Sequence, residues 1–125
     1  CSVVHCPGSH DFFSHQSFPL KEYLQRGIPI ALGTDSLASN TEFSFLHEIR
    51  LFLKNHPELT LSEFMPMLTT NAYEAIGVKD IGKLSSGYQA DIIGFEFNEG
   101  DDFLKELSEQ QAIAFSMVEG SVIIP

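Results

Sequence analysis

Apolar positions in the first half of the chain alternate between short β-branched runs and stretches of helical spacing, while strand-like runs dominate the second half. Ser2-Val3-Val4-His5-Cys6 stops at Pro7-Gly8, which predicts a strand and then a turn. Ser9 to Phe18 is polar and aromatic with no period and predicts a loop. Pro19 suits the opening of a helix that runs through Leu20, Tyr23 and Leu24 and stops at Gly27. Ile28 to Leu32 follows as a second short strand, broken off at Gly33-Thr34-Asp35. Strand, loop, helix, strand is the order of a parallel crossover.

Between Phe43 and His56, residues Phe45, Leu46, Ile49, Leu51, Phe52 and Leu53 recur at roughly helical spacing, and Pro57 closes the segment. Thr60-Leu61-Ser62-Glu63 has the form of a capping box and predicts one helix through Phe64, Met67, Leu68, Ala72, Tyr73 and Ile76, ended by Gly77. The Met65/Met67 pair reads as core filler. Glycines and serines then mark turns. Ala90 to Phe97 predicts a buried strand, Asn98 to Asp102 an acidic turn, and Phe103 to Gln110 a short helix. Ala112 to Val118 and Ser121 to Ile124, joined by Glu119-Gly120, predict a β-hairpin.

Length and composition add bounds. At 125 residues, 43% apolar and 19% charged, the chain has the size of one globular domain with a real core. Seven Lys+Arg against 17 Asp+Glu leave a net charge of −10, a field that repels phosphate backbones and argues against a nucleic-acid partner. No apolar run is long enough for a membrane partner, and no basic segment leads into an apolar one as in a secretory leader. Cys1 and Cys6 fit neither a CxxC pair nor a zinc ribbon, so a reducing, cytoplasmic setting is expected. An opening Cys in place of Met places the expected N-terminus elsewhere.

The chemistry centres on Asp35. A carboxylate where a buried strand ends can enter a site as a metal ligand or proton acceptor, and parallel α/β barrels carry their chemistry at the C-terminal ends of strands. Read from the residues alone, Asp35 could equally cap a turn. His10 and His15 share a segment with Phe12 and Phe13; the pair could hold a metal, contact a substrate beside the phenyl faces, or stand exposed. Ser36 and Ser39 have no histidine poised beside them, which points to hydrogen bonding with the aspartate and away from a nucleophile. His5, ending a strand, reads as a core or pocket-lining residue. His47 and His56 read as solvated or near a helix C-terminus, Glu48 and Arg50 as surface or salt-bridge residues, and Asp91 as an acceptor for turn amides.

Several patterns follow one another in a specific order: His5-Cys6-Pro7 with Ser9; Gly33-Thr34-Asp35-Ser36 with Ala38-Ser39-Asn40; Glu48-Ile49-Arg50; Thr69-Thr70-Asn71-Ala72 with Ala75-Ile76-Gly77; Ile81-Gly82-Lys83-Leu84 with Gly87 and Ala90-Asp91-Ile92-Ile93; Val118-Glu119-Gly120 with Val122. This order resembles the C-terminal part of the amidohydrolase superfamily, in the branch of the adenosine, guanine and S-adenosylhomocysteine deaminases and the triazine chlorohydrolases. The form Cys6-Pro7-Gly8-Ser9-His10, Phe13, His15, Phe18-Pro19 is similar to the aminodeoxyfutalosine deaminase-like group. The resemblance implies an α/β fold: the last two β/α units of an incomplete TIM-type barrel over residues 1–77, then strands of a small β-sandwich over residues 78–125.

It also implies a divalent metal, zinc, that activates water for attack on the amine-bearing carbon of a purine-like base or nucleoside. Asp35 is then the catalytic carboxylate and metal ligand, with His10, Phe13, His15 and Ser36 at the small-molecule substrate. The family's His-x-His pair has no counterpart among His5, His10, His15, His47 and His56. The chain is therefore expected to be the C-terminal piece of a longer enzyme, with the missing N-terminal part as its first partner, and to be inactive alone. Other amidohydrolase activities, chlorohydrolase or imidazolone hydrolase, are the alternatives within the family. A non-catalytic interaction module, pairing its uncovered apolar faces with a partner or as a homo-oligomer, is the alternative outside it.

Overall fold

Val3–His5 (β1) and Ile30–Leu32 (β2) pair in parallel, with Val3 opposite Ile30 and His5 opposite Leu32. The computed structural model describes residues 1–98, 100, 102–110 and 112–124. The crossover between the two strands carries two short helices, Pro7–Phe12 (α1) and Leu20–Gln25 (α2). The first replaces the expected turn and the start of the expected loop. Pro7 sits at the position where a helix tolerates proline best, and Gly8 is buried against the loop after β2. That long-range contact is invisible to local periodicity.

Phe45–Asn55 (α3) starts on Ser44, whose side chain accepts from the His47 amide. The single helix expected after Thr60 divides into Leu61–Leu68 (α4) and Thr70–Ile76 (α5). The break falls on Thr69, whose hydroxyl donates back to the Met65 carbonyl at 2.7 Å. The Thr69 amide donates to the Pro66 carbonyl at 3.2 Å, three residues back, so the last turn of α4 tightens there. At the front of α4, Glu63 accepts from the Thr60 amide at 3.0 Å. Asn71 of α5 donates to the Ile30 carbonyl at 2.9 Å and so ties that helix to β2.

The core gathers between β2 and the helices: Ile30 and Leu32 meet Ile49, Phe52 and Leu53 of α3, and Phe64 and Met67 of α4. Helix Phe103–Glu109 (α6) packs on α3 and adds Leu107 to this core, so one later element belongs to the earlier layer.

A separate antiparallel sheet holds Ile92–Gly94 (β3), Phe115–Val118 (β4) and Ser121–Ile124 (β5), in the order β3-β4-β5. The third strand is shorter than expected and partly exposed, with Ile93 56% accessible, against the expected buried run. The hairpin turn is Glu119-Gly120 with φ of 50° and 77°, the two left-handed residues a tight hairpin turn needs. Asp91 accepts from the Glu119 amide at 2.8 Å, the turn-bonding role read from sequence. Glu99 and Asp101 of the expected acidic turn lie outside the described residues. Among the described residues no helix is long and apolar enough to cross a membrane.

Candidate functional site

Because β1 and β2 run parallel and in register, their C-terminal ends lie at one edge, and two segments leave from it. From β1 the chain enters α1 through Cys6 and Pro7; from β2 it passes Gly33 and Thr34 into Asp35. Gly33 lies so close to β1 that a Cβ there would stand 3.1 Å from Val4 and 3.2 Å from Cys6. Asp35 has φ of 56°, a left-handed conformation that aspartate tolerates better than branched residues do.

The Asp35 carboxylate is exposed, and its Oδ2 accepts from Ser39 Oγ at 2.7 Å and from Ser9 Oγ at 2.9 Å. Those hydroxyls, Ser39 first and Ser9 next, with the Ser36 amide, hold the carboxyl below the usual aspartate range. The side chain is thus ionised and aimed away from the core. Ser36 touches Ser39 through its carbonyl, which accepts from Ser39 Oγ at 3.2 Å.

Beneath this clamp lies Glu48, fully buried on α3. Its Oε2 accepts from the Gly8 amide at 2.7 Å, and its Oε1 accepts from the Asn40 side-chain amide. Asn40 Nδ2 also donates to the Thr34 carbonyl at 3.0 Å. The surface or salt-bridge role expected of Glu48 is therefore corrected: it is buried and accepts from two uncharged amides. The signal was in the sequence: Glu48, Ile49, Phe52 and Leu53 form the buried face of α3, and Glu48 stands on that stripe. Ser9 and Asn40 had no periodic signal, since their partners are distant in sequence.

The histidines form a second cluster beside the site. His5 is buried and stacks on Phe18, with ring centroids 3.9 Å apart. His10, on α1, meets the His5 ring edge-on at 5.1 Å and the His15 ring at 5.3 Å. Phe13 lies 5.8 Å from His15, and both are exposed. Burial first, then the neighbouring His10 and His56, push the His5 pKa down to about 4. His56 closes α3 at its C-cap, the helix-end position expected, but it is buried, and burial chiefly pushes its pKa down, so it is neither solvated nor favoured as an imidazolium. His47 pairs with Glu42 at 3.3 Å. The Cys6 thiol is pushed up by burial, then by Asp35 and Glu48.

Among the described residues no group of three His, Cys, Asp or Glu side chains is placed to hold a metal ion. A catalytic zinc takes about three protein ligands. Asp35 is one carboxylate with hydroxyl neighbours, so these residues do not fit such a metal by themselves. The groove of about 590 Å³ between α3 and α6, lined by Arg50, Lys54 and Lys105, belongs to elements that do not carry Asp35.

Comparison with known proteins agrees with this layout. A model of the amidohydrolase family matches residues 1–124. The chain is similar to the 5-methylthioadenosine/S-adenosylhomocysteine deaminase of Pyrococcus furiosus, 39% identical over 98 residues, covering 73% of this chain and 23% of that protein. The enzyme of the same name from Pyrococcus abyssi is 33% identical, covering 97% of this chain and 30% of its own length. Among solved structures, the atrazine chlorohydrolase of Arthrobacter aurescens TC1 complexed with zinc superposes with a TM-score of 0.81 at 25% identity, covering 98% of this chain and 31% of that one. The chain thus spans 23% and 30% of the lengths of these two deaminases.

Proposed function

The chain belongs to the amidohydrolase family, of the TIM-barrel superfamily, and from that premise we propose that it forms the C-terminal part of a metal-dependent hydrolase that deaminates a purine-like base or nucleoside. In this reading residues 1–77 supply the last two β/α units of the barrel and residues 78–125 part of a small β-sandwich. The parallel β1–β2 pair and the separate antiparallel sheet support that division.

The observation that carries the proposal is the Asp35 carboxylate, exposed at the C-terminal edge of a parallel strand pair and kept ionised by two serine hydroxyls. An ionised carboxylate in that place can accept a proton from attacking water. In hydrolytic deamination water adds at the amine-bearing carbon, the C–N bond breaks and ammonia leaves. Asp35 serves as proton acceptor and as one ligand of a divalent metal, zinc, whose remaining ligands lie outside this chain. His10, Phe13, His15 and Ser36 border the substrate, with the phenyl ring offering a face for a planar base. The 125-residue chain alone is inactive in this reading.

Metal content and ammonia release from adenine-type nucleosides, measured on the full-length protein beside Asp35→Asn, test the reading. Loss of rate in the variant is the expected result; a variant that keeps both metal and rate removes Asp35 from the reaction. Chlorohydrolase activity is the second reading, favoured by the superposition on a chlorohydrolase. Chloride release from a chlorotriazine, with no ammonia from nucleosides, would select it. The identities of 39% and 33% to deaminases, against 25%, favour deamination.

A further inference from the structure

Two serines clamp Asp35, and each is the chain neighbour of a group that Glu48 holds. Ser9 follows Gly8, whose amide donates to Glu48 Oε2 at 2.7 Å. Ser39 precedes Asn40, whose side-chain amide donates to Glu48 Oε1. Neither pair is close to Glu48 in sequence: the first is 40 residues away and the second eight. One buried side chain therefore ties the start of α1 to the loop after β2, the two segments that converge on the Asp35 carboxylate.

The local geometry needs such a tie. The N-cap position of α1, Cys6, makes no side-chain cap hydrogen bond, and Gly8 lies in the first turn, where amides lack partners within the helix. Glu48 supplies the missing acceptor from another element. On the other side, Asn40 bridges Glu48 to the Thr34 carbonyl, one residue before Asp35. The network thus grips the Asp35 loop from both flanks, and its members Gly8, Asn40 and Glu48 are all buried. No buried side-chain nitrogen or oxygen is left without a partner among the described residues.

We propose that Glu48 is a positioning residue: by holding Gly8 and Asn40 with its two oxygens it keeps Ser9 and Ser39 in register on the Asp35 carboxylate. This deepens the reading of Asp35 as the reacting carboxylate and rests on it. A glutamine at position 48 keeps the length but offers one acceptor and one donor, so one of the two donors now faces an N–H. One arm of the clamp goes slack while the core shape is kept.

The test is a set of variants in the full-length enzyme: Glu48→Gln, Ser39→Ala, Ser9→Ala, and Glu48→Gln combined with both serine changes. Glu48→Gln is expected to lower kcat by roughly tenfold to a hundredfold with KM within about twofold, the signature of a misplaced reacting group. Measured beside the Ser9→Ala/Ser39→Ala double variant, the combination with Glu48→Gln should cost no more than about twofold further, because the effects share one route. Factors that multiply in full, while Asp35→Asn is inactive, overturn the positioning role and leave the reading of Asp35 standing. Should Asp35→Asn stay active, the reading of the site falls. The Asp35 carboxyl-carbon resonance at fixed pH then judges the clamp: it moves on Glu48→Gln if the tie exists and stays in place if it does not. If Glu48→Gln fails to fold, Asn40→Ala cuts one arm alone. It must then be non-additive with Ser39→Ala and additive with Ser9→Ala, and the reverse pattern defeats the proposal.

Discussion

Ser39 Oγ donates to Asp35 Oδ2 at 2.7 Å, the shorter of the two hydroxyl contacts on that carboxylate and the leading cause of its depressed pKa. A hydroxyl donated to the ionised form favours ionisation, so its removal raises the pKa. Ser39→Ala should move the Asp35 carboxyl up toward the ordinary aspartate value, and Ser9→Ala should move it less. A carboxyl-carbon titration by NMR reads both shifts. A larger shift in Ser9→Ala would reverse the ranking of the two donors.

Asp35 carries a conformational demand separate from its charge. With φ of 56° it occupies a region that asparagine enters easily and alanine does not. Asp35→Asn should therefore keep the thermal midpoint near that of the parent chain, while Asp35→Ala should lose about 1 kcal/mol of stability to backbone strain. Asp35→Gly should fall between them, relieving strain but loosening the unfolded chain. Denaturant melts of the three variants give the order. Equal stability of the alanine and asparagine forms would show that the left-handed turn costs nothing.

Gly8 sets two effects of opposite sign against each other. Inside a helix, alanine in place of glycine gains about 1 kcal/mol. Here a Cβ would collide with the Asn40 side chain, which is pinned by Thr34 and Glu48 and accepts from the Glu42 amide. Pushing Asn40 aside breaks buried hydrogen bonds, each of which costs about 1–3 kcal/mol when a group is left unpaired. The steric effect wins, and Gly8→Ala should lower the melting temperature. A rise would mean that Asn40 moves freely.

What the sequence reveals and what it hides divides along the range of the interactions. The strand ends at Gly33-Thr34-Asp35, the capped start of α4 and the Glu119-Gly120 turn are legible because each depends on neighbours a few residues away. Helix α1 is hidden: its first turn is completed by a carboxyl group 40 residues downstream. The division of the helix at Thr69 is hidden: Pro66 stands early in the helix expected after Thr60, where proline is better tolerated, and nothing in the pattern marks Thr69. The residue type of Glu48 suggests a solvated or ion-paired side chain, although its place beside Ile49, Phe52 and Leu53 marks the buried face. A carboxylate on an apolar stripe, with no basic residue on the same face, is better read as an acceptor for backbone or amide donors elsewhere in the fold.

The buried histidines make stability depend on pH in a window the carboxylates do not share. The His5 pKa falls from 6.5 to about 4, driven by burial and then by the charges of His10 on α1 and His56 at the end of α3. In the unfolded chain His5 binds its proton near 6.5, so between that value and about 4 the unfolded state holds more protons than the folded one. Stability therefore rises with pH across the window and falls on acidification. His56 adds to the same slope, though Glu58 opposes part of its shift. The depressed carboxyls of Asp35, Glu58 and Glu63 lose their contributions only below their unfolded values of 3.8 to 4.5. The range from about 4.5 to 6.5 is thus the histidines' own. Urea midpoints collected from pH 4.5 to 7 should climb and then level. His5→Phe, which keeps a ring against Phe18, should flatten most of the climb and be more stable than the parent at the acid end. An unchanged slope in that variant would place the protonation elsewhere in the core.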